Sequence, residues 1–119
     1  MSYVDGFVLP VPEKKLAEYR KIASKAGKIW RDHGAIQYIE AAGDDLDIKD
    51  MLSFRKLAKP KPGETVVFAW ILYKSRKHRD QVNKKVMADP RIKGMCGGDS
   101  MPFDVKRMAY GGFKVMVEI

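Results

Sequence analysis

The chain has 119 residues, 45% hydrophobic and 32% charged, the composition of one folded domain and not of a disordered chain. Cys96 is the single cysteine, which excludes an internal disulfide and a cysteine-rich zinc site and fits a reducing compartment. The net charge of +8 is uneven: residues 74–93 hold eight Lys/Arg against two Asp, whereas residues 1–50 hold eight against nine Asp/Glu.

MSYVDGFVLP lacks the basic and apolar segments of a signal peptide, and no apolar run reaches the length of a membrane span. A cytoplasmic protein with no membrane association is expected. Within this stretch Tyr3, Phe7 and Leu9 alternate with Val4 and Val8, a strand apolar on both sides. Asp5 shares the Tyr3/Phe7 side, where a carboxylate requires solvent or a partner. Pro10 and Pro12 are expected to end the strand, because proline cannot donate to a ladder.

Pro12 and Glu13 open a helix predicted to run to about Asp32, with Gly34 as its stop. Leu16, Tyr19, Ala23, Ala26 and Trp30 form its apolar stripe, widened by Ile22 and Ile29. AIQYIEAAG reads as a second strand and GDDLDIKD as a loop. MLSFRKLA is expected to add a short strand segment before the KPKPGE turn. VVFAWILY is the strongest strand signal: Val66, Phe68, Trp70 and Leu72 face one way, Val67, Ala69, Ile71 and Tyr73 the other. Ser75 caps a second helix reaching about Met87, and Asp89-Pro90 breaks it before a short turn at RIKGM. CGGDSMPFD is a loop. A last strand is predicted from near Arg107 to Val117, with Gly111-Gly112 allowing a bulge, a tight bend or close backbone approach.

The order β–α–β–β–α–β is the split βαβ arrangement of α+β, ferredoxin-like folds, with two helices on one face of a four-stranded antiparallel sheet. Both alternations of the first and third strands are oily, so the second sheet face also needs cover. Packing two copies face to face supplies it, and the expected assembly is a homodimer forming a dimeric α+β barrel over residues 1–119.

Chemistry is sparsely marked. There is no HExxH, no paired CxxC, no Walker motif and no dinucleotide fingerprint, so no metal and no cofactor is expected. Ser100 lacks a nucleophile elbow, and Cys96 beside two glycines has no positioned base. His78 belongs to the basic helix face. A small-molecule ligand is expected between sheet and helices, with Tyr3, Phe7, Trp30, Trp70, Arg107 and Tyr110 as wall and His33 and Asp5 as candidate bases. An Asp104–Arg107 salt bridge is expected to clamp the approach to the last strand. The basic segment 74–93 offers a weak nucleic-acid-binding module as an alternative. Phe68 and Trp70 imitate RNA-binding strand aromatics, but flanking apolar residues fit burial between copies better, so nucleic acid is disfavoured.

Three stretches carry a resemblance: YVDGFVLPVP, VVFAWILYKSRKHRD, and MADPRIK followed by MPFDVKRMAYGGF. Across essentially its full length the chain resembles the small bacterial YbaA-like family. The resemblance implies a dimeric α+β barrel related in fold to antibiotic-biosynthesis-type monooxygenases, without a catalytic assignment. It makes a cofactor-independent monooxygenase acting on an aromatic or quinol-like substrate an alternative to plain ligand binding.

Overall fold

The computed structural model describes residues 1–95 and 101–119. Among them, β1 (Tyr3–Pro12) leads through a 3₁₀ turn into α1 (Leu16–Asp32) and β2 (Gln37–Ala42). A short helix α2 (Phe54–Ala58) precedes β3 (Glu64–Tyr73), which is followed by α3 (Arg76–Ala88), α4 (Pro90–Met95) and β4 (Ala109–Lys114). The strands form one antiparallel sheet in the order β2-β3-β1-β4. The two doubly apolar strands, β1 and β3, are therefore its centre, and the shorter, more polar β2 and β4 are its edges.

Pleating separates the two faces. Tyr3, Asp5, Phe7, Leu9 and Val11 register with Tyr73, Ile71, Ala69, Val67 and Thr65 beneath α1, α3 and α4. Leu9, Val11, Tyr73, Val82 and Val86 are essentially closed to water; each aliphatic side chain buried in this way contributes roughly 1.5–3 kcal/mol. The opposite face carries Val4, Val8, Val66, Phe68, Trp70, Leu72 and Phe113. The short helix α2 reaches across it, with the Phe54 ring tilted against Phe68 at 5.9 Å. Phe68 and Phe113 remain 43% and 61% exposed.

The sheet does not close into a barrel. β2 and β4 lie at opposite edges with no pairing between them, so the expected dimeric α+β barrel is corrected to an open four-stranded α+β sheet. Four strands backed by helices leave both edges apart, and nothing within the described residues draws them together.

Several local expectations also change. Pairing along β1 continues through Pro10↔Val66 and Pro12↔Glu64. β4 accompanies β1 only from Tyr3 to Val8, so both prolines sit where one side of β1 has no paired strand and a missing N–H costs no ladder bond. MLSFRKLA forms the α2 helix and not a strand: Ser53 Oγ accepts from Lys56 N at 3.2 Å, and Lys59 ends the helix at φ 51°. β4 begins later than expected because Val105–Arg107 is a 3₁₀ turn capped by Asp104. No bulge interrupts its register at Gly111-Gly112. Gly112 instead accommodates the Tyr3 ring, which a Cβ there would strike. The expectations for Cys96 and Ser100 fall outside the described residues.

Candidate functional site

The helix-covered face is not uniformly filled. Ala23 and Ala26 on α1 and Ala69 on β3 are small, and between them, α3, α4 and residues 101–110 lies a cavity of about 660 Å³. Phe7, Leu9, Ile22 and Ile71 form apolar walls with Met87, Met95, Met101 and Met108. Unbranched thioether side chains adapt to irregular shapes more readily than leucine. The volume falls within the range of small-molecule pockets.

One polar end is built by β1, α3 and β4. Asp5 is 1% exposed, and its carboxylate accepts from Arg79 Nη1 at 2.8 Å. The same guanidinium donates to Tyr110 Oη at 3.0 Å and Asp80 at 2.8 Å, and lies 5.0 Å above the Tyr3 ring. Burial works against its charge, but Asp5 and Asp80 outweigh burial and hold the pKa of Arg79 above its ordinary value. Burial, followed by the Asp5 charge, raises the pKa values of Tyr73 and Tyr110.

Asn83 completes this end. Its Oδ1 accepts Trp30 Nε1–H at 3.1 Å and Tyr73 O–H at 3.3 Å. Both contacts engage the carbonyl, leaving the amide N–H groups as the donors Asn83 can offer the cavity it borders.

The other end belongs to α1 and β2. Glu40 accepts the Tyr19 hydroxyl on one oxygen and the Tyr38 hydroxyl on the other at 2.6 Å. Burial, reinforced by the Glu40 charge, pushes both phenols well above their usual pKa, so they are fixed as donors. Asp5 and Tyr38 flank Ile71 in one cross-strand row, while Tyr110, Phe7, Ala69 and Glu40 make the next. At about 4.8 Å per strand, the polar ends lie about 10–14 Å apart across an apolar floor.

Of the residues expected at a site, Asp5, Phe7, Trp30 and Tyr110 border this cavity together. Tyr3 lies beside it beneath Arg79. Trp70 touches the wall, but the pleat directs its indole to the opposite face, where Nε1 donates to Gln37 at 3.1 Å. His33 pairs with Asp89 at 2.8 Å at the end of α1 and does not border the cavity. The charge-assisted bonds from Arg91 and His33 keep Asp89 well below the ordinary carboxylate range. His78 accepts Lys74 N–H at 3.0 Å, and burial lowers its pKa with help from Lys74 and Lys85. Arg107 is not paired with Asp104 as expected: it holds Glu64 at 2.7 and 2.9 Å and the Lys59 carbonyl, far along the sheet. Asn83, Tyr19, Tyr38, Glu40 and Arg79 were not among the pocket residues expected from sequence. Only the position of Tyr19 on the apolar stripe of α1 signalled its inward direction.

Among the described residues, no group of His, Cys, Asp and Glu is placed to hold a metal ion, and no helix is long and apolar enough to cross a membrane.

The fold is shared with known structures. Over 99% of this chain and 96% of the other, the fold is similar to SnoaB, described as a cofactor-independent oxygenase from Streptomyces nogalater, at a TM-score of 0.61 and 9% identity. Rv0793 from Mycobacterium tuberculosis is similar at a TM-score of 0.59 and 12% identity, with 99% and 98% covered. The chain belongs to the family described as "Protein of unknown function (DUF1428)", whose model matches residues 2–105. It is 44% identical to the uncharacterized protein YbaA of Escherichia coli K12 over 118 residues, 99% of each chain.

Proposed function

We propose that the protein binds a small hydroxylated aromatic molecule between its sheet and helices. One observation carries the reading: a cavity of about 660 Å³ is apolar along its length and gathers Asp5, Asn83 and Tyr110 at one end. Ring surface would lie against Phe7, Ile71 and the methionines, while a ligand oxygen accepts from Asn83 or exchanges hydrogen bonds with Asp5 and Tyr110. The test uses 1,4-dihydroxynaphthalene and Trp30 emission in a Trp70→Phe background. Saturable quenching, abolished by the cavity-filling Ala26→Phe, is expected. Emission unaffected by the ligand would reject the reading.

The fold shared with a cofactor-independent oxygenase favours a second reading, in which such a ligand is oxidised. Asp5 would accept the proton of a ring hydroxyl, and the resulting electron-rich anion would reduce O₂. An activated ring CH₂ then becomes C=O, one oxygen atom entering the product and the other leaving as water. The substrate supplies all four electrons. Oxygen uptake with an anthrone-type substrate should be lost in Asp5→Asn; no uptake by the parent protein would reject this chemistry.

The proposal extends to assembly. Phe68 and Phe113 expose large apolar surfaces on the face away from the cavity, and a second copy placed against that face removes them from water. Light scattering at micromolar concentration should give twice the 13.5 kDa chain mass; a single-chain mass would reject the homodimer.

A further inference from the structure

The cavity has a neighbour. Between α1 and the outer side of β2 runs an open groove of about 770 Å³. Tyr19, Ala23, Tyr38 and Glu40 border both spaces. The partition therefore consists largely of side chains: two phenol rings tied to one carboxylate. On the helix side it meets the smallest residues available. A Cβ added to Gly27 would lie 2.8 Å from the Tyr38 ring, so this mid-helix glycine is what lets the ring lie against α1.

The groove also has a distinctive charge. Arg20, Ser24, Lys28 and Arg31 recur at spacings of three and four, which places them on one stripe of α1 along the groove. Arg31 donates to the carbonyls of Ala35 and Ile36. Among the described residues, neither Arg20 nor Lys28 has a carboxylate within ion-pair distance. The two acids nearby are already engaged: Glu40 by the tyrosines and Asp32 by Arg91 at 2.9 Å. An arriving anion thus meets unmatched positive charge at the rim, apolar contact on Leu16 and Val67, and then the two-ring partition.

We propose that this groove is the port of the cavity and that it selects organic anions, an aromatic body passing Tyr19 and Tyr38 while a carboxylate, sulfonate or phosphate group stays with Arg20 and Lys28. The proposal rests on the cavity reading above and adds to it the route and the charge of the ligand. It requires no residue of the Asp5 end. Because the cations are exposed, the preference weakens as salt screens them.

Two probes with nearly the same body separate the ideas: 1-anilinonaphthalene-8-sulfonate, an anion, and N-phenyl-1-naphthylamine, which is neutral. Both should bind with fluorescence enhancement, and Ala26→Phe should remove both signals, distinguishing the cavity from the exposed sheet face. Arg20→Glu/Lys28→Glu should weaken the sulfonate about tenfold and the amine less than twofold, as expected for two reversed surface charges. Raising salt from 50 to 500 mM should weaken only the sulfonate in the unmodified protein, a measurement independent of any variant's folding. Tyr38→Ala should accelerate association of both probes. Cavity binding of the amine with no charge or salt discrimination for the sulfonate would overturn the anion port and leave the cavity reading intact. An amine signal that survives Ala26→Phe would overturn the cavity reading and the port with it.

Discussion

The two faces of the sheet differ in how their side chains are satisfied. The face beneath the helices carries Asp5, Tyr38, Glu40 and Tyr110, with hydrogen bonds to every one of them. The face turned away from α1, α3 and α4 carries Val4, Val8, Phe68, Trp70 and Phe113, and much of it is wet. A buried carboxylate persists only when partners replace its water, so the covered face is organised around specific contacts. The exposed face has no such organisation. It offers area, which suits a protein surface better than a small ligand.

The comparison is broken most severely at Asp5. Asp5→Ala leaves Arg79 charged among buried neighbours, and stripping one partner from such a pair costs roughly 3–5 kcal/mol. Urea unfolding should show this loss, with a smaller one for Asp5→Ala/Arg79→Met. Equal losses would mean the pair is not coupled.

Adjacent glycines test the two faces side by side. Gly112→Ala drives a methyl into the Tyr3 ring on the covered face and should cost about 1–3 kcal/mol. Gly111→Ala on the other face meets the Phe113 ring at an ordinary 3.7 Å and should change stability by less than about 0.5 kcal/mol in the same measurement. Similar values for both would contradict the assignment of faces.

Phe68→Ser with Phe113→Ser addresses the oily side directly. Thermal unfolding of the isolated chain should shift by no more than a few degrees, because both rings already contact water. Light scattering should fall to the single-chain mass. An unchanged assembly mass would assign these rings no part in association.

The smallest effect concerns acid. The hydrogen bonds from Arg107 lower the Glu64 pKa from 4.5 to about 2. The folded state binds its proton less readily than the unfolded one, so the stabilisation is complete above pH 4.5 and disappears as pH falls toward 2. Glu64→Gln should flatten that part of the stability–pH curve, measured by urea midpoint at successive pH values. An unaltered slope would remove Glu64 as its source.

Sequence periodicity made the central strands legible because Tyr3–Leu9 and Val66–Tyr73 are oily on both alternations, and it located α1 through the Leu16–Trp30 stripe. It also brought Asp5, Phe7, Trp30 and Tyr110 into consideration for the same pocket. What it missed depended on chain segments meeting at a distance. Arg107 finds Glu64, 43 residues away, and not Asp104 nearby, while Asn83 finds Trp30 across 53 residues. The α2 helix was hidden by apolar MLSF, which reads as a strand segment. Sheet closure was overextended from hydrophobic pattern to assembly geometry; oily strand faces demand cover without specifying how it is supplied.

The path of β1 through Pro10 and Pro12 has a further consequence. Beyond Val8 one side of this strand has no ladder partner, yet Leu9, Pro10 and Val11 are buried, so an imide nitrogen at Pro10 spares the fold a buried donor that would otherwise need an acceptor.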